Sequence, residues 1–212
     1  MTERTFYLIR HGQTDWNVIY RWQGHTDIPL NDTGREQARR LGQRLAGVPI
    51  DRAISSDSTR ANETARLALG GRGLPVTADP AWREFHAGIL EGKTWTEIQA
   101  EHAECVTGMN TDFYGYVFPG GESRGASQTR ALAAFRKLLD DGQGEHVMIV
   151  SHGMTIRVVL AGLFPDVVKH PMTDIHRVEN TCLSIIRQTS EGLSLVQLAD
   201  ATHLESEAAA AD

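Results

Sequence analysis

Two short apolar runs, Leu8-Ile9-Arg10-His11-Gly12 and Ile149-Val150-Ser151-His152-Gly153, each end in a His-Gly pair. Two imidazoles brought to one place can supply a nucleophile and a partner for it. Arg10, beside the first histidine, is a permanent cation whose planar fork of donors suits phosphate. The loop beyond Gly12 offers Asn17, Arg21, Gln23 and Gly24 as further ligand contacts. Arg60 follows the apolar Ala53-Ile54-Ser55, at the start of a helix. A cation there opposes the positive end of the helix dipole. A bound anion reverses that sign and meets free backbone N–H groups. Taken alone, Arg60 reads as a solvated surface arginine. Glu84 stands in Trp82-Arg83-Glu84-Phe85. Apolar neighbours raise the pKa of a carboxyl group and fit it for general acid work. The plainer reading is a loop acid paired with Arg83.

These residues need a scaffold that brings them together. Residues 5–10 read as a strand and residues 12–32 as a long loop, a place where function concentrates. Thr33 and Glu36 fit a capping box. The helix it opens sets Ala38, Leu41 and Leu45 on one face and ends near Gly47. Arg52–Ser55 reads as a short buried strand. A helix from about Ser58 turns Ala61, Ala65 and Ala68 or Leu69 inward. Leu74–Thr77 is a further strand, and 79–94 is irregular. A short helix covers Thr96–His102, and 103–122 has no clear period. Ser123 caps a helix to about Asp140 with Leu132, Phe135 and Leu139 on its core side. The strand His146–Val150 and a helix Met154–Leu163 follow. Thr181–Gln188 and Leu193–Leu198 form a closing hairpin. This alternation predicts an α/β fold: a mostly parallel central sheet with helices on both faces. In such sheets the ligand crevice lies outside the carboxyl ends of the strands, where both His-Gly pairs fall.

With 212 residues and no shift in composition, the chain is expected to form one domain over 1–204. Residues 95–122 read as an insertion forming a lid over the carboxyl edge, and 205–212 as a disordered tail. No apolar run approaches the roughly 18 residues that span a membrane. The start of the chain lacks the apolar stretch of a signal peptide. Cys105 and Cys182 have neither a CxxC spacing nor a disulfide framework. A reducing cytoplasm is the expected setting, with no membrane partner. The net charge of -6 argues against general nucleic-acid binding, so an anionic substrate must be held by a local arginine cluster. The nine histidines form no HxH or HExxH pattern, and arginines are poor neighbours for a divalent cation. No metal and no cofactor is expected.

The run Leu-Ile-Arg-His-Gly-Gln-Thr-Asp-Trp-Asn (8–17) resembles the signature of the histidine phosphatase superfamily, also called the phosphoglycerate-mutase-like family. The similarity continues through Arg21-Trp22-Gln23-Gly24, Asp27-Ile28-Pro29-Leu30, Thr33-Gly34 and Ser55 to Ala61. It then takes in Arg83-Glu84, Glu91-Gly92, Pro119 to Ser123 and Val150 to Gly153, in the family's order. The resemblance implies that His11 becomes a phosphohistidine. It implies that Arg10, Arg60 and His152 hold the phosphoryl oxygens, with Asn17 contributing. Glu84 then protonates the leaving alcohol and activates water. Arg21, Gln23, Gly24, Arg83 and Gly153 are expected around the substrate.

The same residues can serve a phosphatase or a mutase. Cofactor-dependent phosphoglycerate mutases of this family carry adjacent arginines in a longer insertion. Here Thr94 to Glu122 holds no arginine, and its only lysine neighbour, Lys93, lies outside it. It holds Glu97, Glu101, Glu104, Asp112 and Glu122 with Phe113, Tyr114, Tyr116 and Phe118. An acidic, aromatic lid is expected to repel a second anion and to accept a neutral sugar, nucleoside or other organic body. The expected function is hydrolysis of a small-molecule phosphate ester by a monomer or homodimer. The alternatives are a cofactor-dependent mutase and a non-enzymatic phosphate-binding module. An intact nucleophile and acid favour the enzyme.

Overall fold

The computed structural model describes residues 3–175 and 178–205. The strands are β1 (Arg4–Arg10), β2 (Arg52–Ser55), β3 (Val76–Ala78), β4 (His146–Ser151), β5 (Leu183–Thr189) and β6 (Gly192–Asp200). They form one sheet in the order β3-β2-β4-β1-β5-β6. The first four in that order run parallel, and β5 and β6 add an antiparallel hairpin beside β1. The helices are α1 (Asp15–Val18), α2 (Asp32–Arg44), α3 (Thr59–Leu69), α4 (Trp95–Glu101), α5 (Ala103–Thr111), α6 (Arg124–Asp141) and α7 (Gly153–Leu163). None of them is long and apolar enough to cross a membrane.

The period-2 alternation of the strands divides the core. Phe6 and Leu8 of β1 join Val147 and Ile149 of β4 against Phe135 of α6 and Ile156, Val159 and Leu160 of α7. Tyr7 and Ile9 join Met148 and Val150 on the other face, against Leu41 of α2 and Ala61 and Ala65 of α3. The Phe6 and Phe135 rings are 5.0 Å apart at 56°. Each large apolar side chain buried this fully contributes about 1.5–3 kcal/mol. A third cluster, separate from the sheet, unites Phe85, Leu90, Ile98 of α4, Cys105 and Met109 of α5, and Phe118. It holds the 95–122 segment beside the carboxyl end of the sheet.

Several local expectations change. The cap of α2 is Asn31, whose side chain accepts from Gly34 N, in place of the Thr33 and Glu36 box. The reciprocal capping boxes are elsewhere, at Thr14 with Asn17 and at Thr94 with Glu97. The 12–32 loop contains the single turn α1. The aperiodic stretch contains α5, whose sequence is poor in strong helix formers. It is held by the burial of Cys105 and Met109, four residues apart. The expected tail lies, but for Glu205, outside the described residues.

Candidate active site

Strand register assembles the site. β1 and β4 are paired in parallel so that Arg10 lies opposite Ser151. The backbone N–H of His11 donates to the Ser151 carbonyl at 2.9 Å. The two His-Gly pairs therefore leave the sheet side by side. The rings of His11 and His152 are 5.2 Å apart at 60°, and both side chains are buried.

Gly12 is dictated by a close approach. A Cβ there would lie 2.5 Å from the Gly34 carbonyl oxygen, and one on Gly34 would lie 2.1 Å from the Gln13 carbonyl oxygen. Backbone thus packs on backbone where the loop meets the first turn of α2. The Gly12 N–H donates to Thr64 Oγ1 at 2.9 Å, which joins the loop to α3.

Hydrogen bonds select the tautomer of each histidine. His11 Nδ1 is 2.7 Å from the Gly12 carbonyl oxygen, which can only accept. Nδ1 therefore carries the proton, and Nε2 keeps its lone pair toward the cavity that His11 lines. Burial, then Arg60, then Arg10 push the His11 pKa well below its ordinary value. His152 is pushed down by the same causes in the same order, with His11 adding to them. Its Nδ1 accepts from Arg60 Nε at 3.3 Å, so its Nε2 carries the proton and is a donor.

The cations are fixed by backbone. Arg10 Nη1 donates to the Val178 carbonyl at 2.6 Å, while its buried Nε has no partner among the described residues. Arg60, almost wholly buried in α3, donates to the carbonyls of Gly24 at 2.8 Å and Thr26 at 2.9 Å. The turn carrying those carbonyls is held by Glu91, which accepts from the N–H groups of His25 and Thr26 and from the Thr26 hydroxyl. Gly24 has a φ of +52° against Glu91, a conformation that favours glycine. The expectation that a phosphate sits on the N-terminus of α3 is not met. Asp27 occupies it, accepting from Thr59 N at 2.9 Å.

Glu84 does not sit in the apolar pocket expected from its neighbours. Trp82 is absorbed into the sheet core and Phe85 into the third cluster. The carboxylate instead faces the N-terminus of α7. Its Oε2 accepts from Met154 N at 3.0 Å. Its Oε1 accepts from Thr155 N and the Thr155 hydroxyl, both at 3.0 Å, and from Phe85 N at 3.1 Å.

A cavity of about 630 Å³ opens on these groups. Arg10, His11, Asn17, Arg21, Gln23, Gly24, Arg60, Glu84, His152 and Gly153 all line it, as expected from the sequence. Asn17 Oδ1 accepts from the Thr14 N–H and from Asn180 Nδ2, which fixes the side chain at the cavity edge. Gln23 Oε1 is buried with no partner among the described residues. Arg21 is paired with Glu97 at 2.8 Å. Arg83 is the exception. It forms a fork with Asp57, at 2.7 and 2.6 Å, and lines a smaller recess that shares Gly24, Arg60, Glu84 and His152 with the main cavity, which Arg83 itself does not line.

The acidic-lid expectation is overturned. None of Glu97, Glu101, Glu104, Asp112 and Glu122 lines the cavity. The 95–122 segment presents Trp95, Met109, Asn110 and Phe113 to it. Two further arginines line it that sequence reasoning missed, Arg124 and Arg157. Both carried a signal. Arg124 is a cation in the first turn of a helix, as Arg60 is. Arg157 is the one charged residue in the apolar run of α7. His102, Glu104 and Cys105 converge within 4.8 Å of one another, and none of them lines the cavity.

A cavity with an unprotonated imidazole nitrogen, fixed cations and a carboxylate can perform phosphoryl transfer. Residues 6–201 match the family model of the histidine phosphatase superfamily (branch 1). Phosphoglycerate mutase-like protein 4 of Arabidopsis thaliana is 32% identical over 202 residues, covering 93% of this chain and 86% of that protein. The solved structure of YhfR from Bacillus stearothermophilus superposes with a TM-score of 0.86 at 35% identity, covering 95% of this chain and 100% of that one. The alpha-ribazole phosphatase of Shigella flexneri gives 0.82 at 31%, covering 93% and 96%.

Proposed function

The chain belongs to the histidine phosphatase superfamily (branch 1), and from that premise we propose that it hydrolyses small organic phosphate monoesters through a phosphohistidine at His11. The observation that carries this reading is the Nδ1–H bond of His11 to the Gly12 carbonyl, which leaves Nε2 as the free base. The superfamily places phosphatases and mutases side by side, and the similar proteins carry names of both kinds.

In the proposed first step His11 Nε2 attacks phosphorus and the bond from phosphorus to the alcohol oxygen breaks. The buried, unpartnered Nε of Arg10 gains an acceptor when a phosphoryl oxygen arrives. Arg60 and the Nε2–H of His152 add charge and a donor where the transition state concentrates negative charge. The leaving alkoxide is strongly basic and takes a proton from Glu84. Oε2 is the oxygen suited to carry that proton, because Oε1 already accepts three hydrogen bonds and Oε2 accepts one. In the second step Glu84 accepts a proton from water, the oxygen attacks phosphorus, and the bond to Nε2 breaks. Inorganic phosphate leaves and both residues are restored. Arginines supply the positive charge, so the activity is expected to survive chelation of divalent ions by EDTA.

The mutase is the second reading, and Arg124 and Arg157 favour it, since a mutase must hold an acid as well as a phosphate. Absence of any basic residue from 94–122 favours hydrolysis. The two part at the phosphoenzyme. Release of inorganic phosphate from monophosphates is to be compared with isomerisation of 3-phosphoglycerate primed by 2,3-bisphosphoglycerate. Hydrolysis is expected to dominate. Faster isomerisation, by a wide margin, would transfer the assignment to the mutase.

A further inference from the structure

We propose that Arg124 forms a second subsite in this cavity, one that binds a carboxylate on the organic body of the phosphoester. The proposal rests on the hydrolase reading above and names the class of ester: a phosphorylated acid.

Arg124 is 5% exposed and lines the cavity. It forms no ion pair among the described residues. Its Nη1 donates to the Phe113 carbonyl at 3.3 Å, and its Nη2 reaches only the Met109 sulfur at 3.7 Å. Its buried Nε has no partner among the described residues. The guanidinium lies among three rings, 4.5 Å from the centroid of Phe113, 5.1 Å from Phe118 and 5.6 Å from Phe85. Burial is strong enough to push its pKa down to about 10. Ring faces attract a cation, but they do not satisfy its N–H donors. A buried donor left unpaired is costly, and a buried charge more so.

This subsite is distinct from the phosphate position. The charges felt by His11 and His152 are those of Arg60 and Arg10. Arg124 is not among them, and the charged group that acts on it is Glu84. One arginine in an aromatic surround balances one negative charge, as a carboxylate carries. The Nε and Nη2 edge of a guanidinium also matches the two oxygens of a carboxylate. Arg157, tied through Nη1 to the Pro171 and Ile175 carbonyls, also lines the cavity and adds to its positive potential.

The test compares 2-carboxyethyl and 4-carboxybutyl phosphate with alkyl phosphates of matching length. For at least one pair, kcat/KM is expected to be about tenfold higher for the acid, the effect of one added charged hydrogen bond. In Arg124→Met that ratio falls to near one, and in Arg124→Lys it falls part of the way. A ratio at or below one in the wild type overturns the subsite, as does an unchanged ratio in Arg124→Met. Calorimetric binding of ω-carboxyalkyl phosphonates against alkyl phosphonates to the wild type decides the matter without turnover or a folded variant. Equal binding overturns the subsite. Tighter binding of the matching bisphosphonate overturns the choice of carboxylate. A carboxylate preference in binding with no turnover of any ester upholds the subsite and overturns the hydrolase reading instead.

Discussion

His11 and Glu84 divide the proposed chemistry between a base with one free nitrogen and a carboxylate whose Oε2 accepts a single hydrogen bond. Their roles separate by leaving group. An alkyl alkoxide depends on proton donation, whereas p-nitrophenolate departs with little help. Glu84→Gln is therefore expected to lower kcat/KM for alkyl phosphates by about 10²–10⁴-fold and for p-nitrophenyl phosphate far less. Equal losses of kcat/KM, which reports the steps up to departure of the alcohol and not the later attack of water, would make Glu84 structural or point to another acid. At this scale the sequence was legible where a motif concentrates the chemistry, as at Arg10, His11, Arg60 and His152. It was misleading where chemistry depends on who faces whom. Glu84 has apolar neighbours in sequence and hydrogen-bond donors in space. Arg83 has the right type in the right stretch, and Asp57 holds it in a recess beside the main cavity that Arg60, Glu84 and His152 share. Arg124 carried in sequence only the signal of a cation in a helix's first turn, and its setting among three rings from separate segments comes from the fold.

Among the elements, the His-Gly turn of β1 is the part that tolerates least. Thr64 of α3 and Gly34 of α2 hold it from two sides. A methyl group on Gly34 would collide with backbone, which cannot swing away as a side chain can. Gly34→Ala is expected to cost about 1–3 kcal/mol of stability, the usual penalty for overpacking. It is also expected to lower kcat, because the loop behind His11 must shift. Denaturant unfolding and turnover of the same preparation check both effects. Unchanged stability and turnover would show that the loop and α2 are not tightly packed in solution. Strands and long helices were readable from the sequence because their periodicity reports burial on one face. α5 was not, because its two buried residues are too few to set a period. The cap of α2 moved to Asn31 because several polar residues there can cap, and only packing chooses among them.

For the whole molecule, the buried histidines link stability to pH. The pKa values of His11 and His152 are lowered on folding, chiefly by burial. The unfolded chain, with ordinary values near 6.5, then binds more protons than the folded one. Stability is therefore present above about pH 6.5 and lost as pH falls below it, by up to about 1.4 kcal/mol per pH unit for each group. His25 and His203 are lowered too and act in the same direction. Urea unfolding of the unliganded protein between pH 7.5 and 5 should show this fall. A constant or rising stability over that range would contradict the buried, neutral histidines. The alternation of strands and helices made the α/β sheet legible at this scale, and the carboxyl-edge rule located its crevice. The sign of the cavity was not legible, because net charge and a count of acids in one segment do not say which groups face inward.

The central claim is that phosphate passes through His11. Rapid quench during turnover of a labelled phosphomonoester, followed by peptide mapping, tests it most directly. An acid-labile, base-stable phosphate is expected on the peptide containing His11, with no such label and no turnover in His11→Ala. Turnover at the wild-type rate in that variant, or label on another residue, would contradict it.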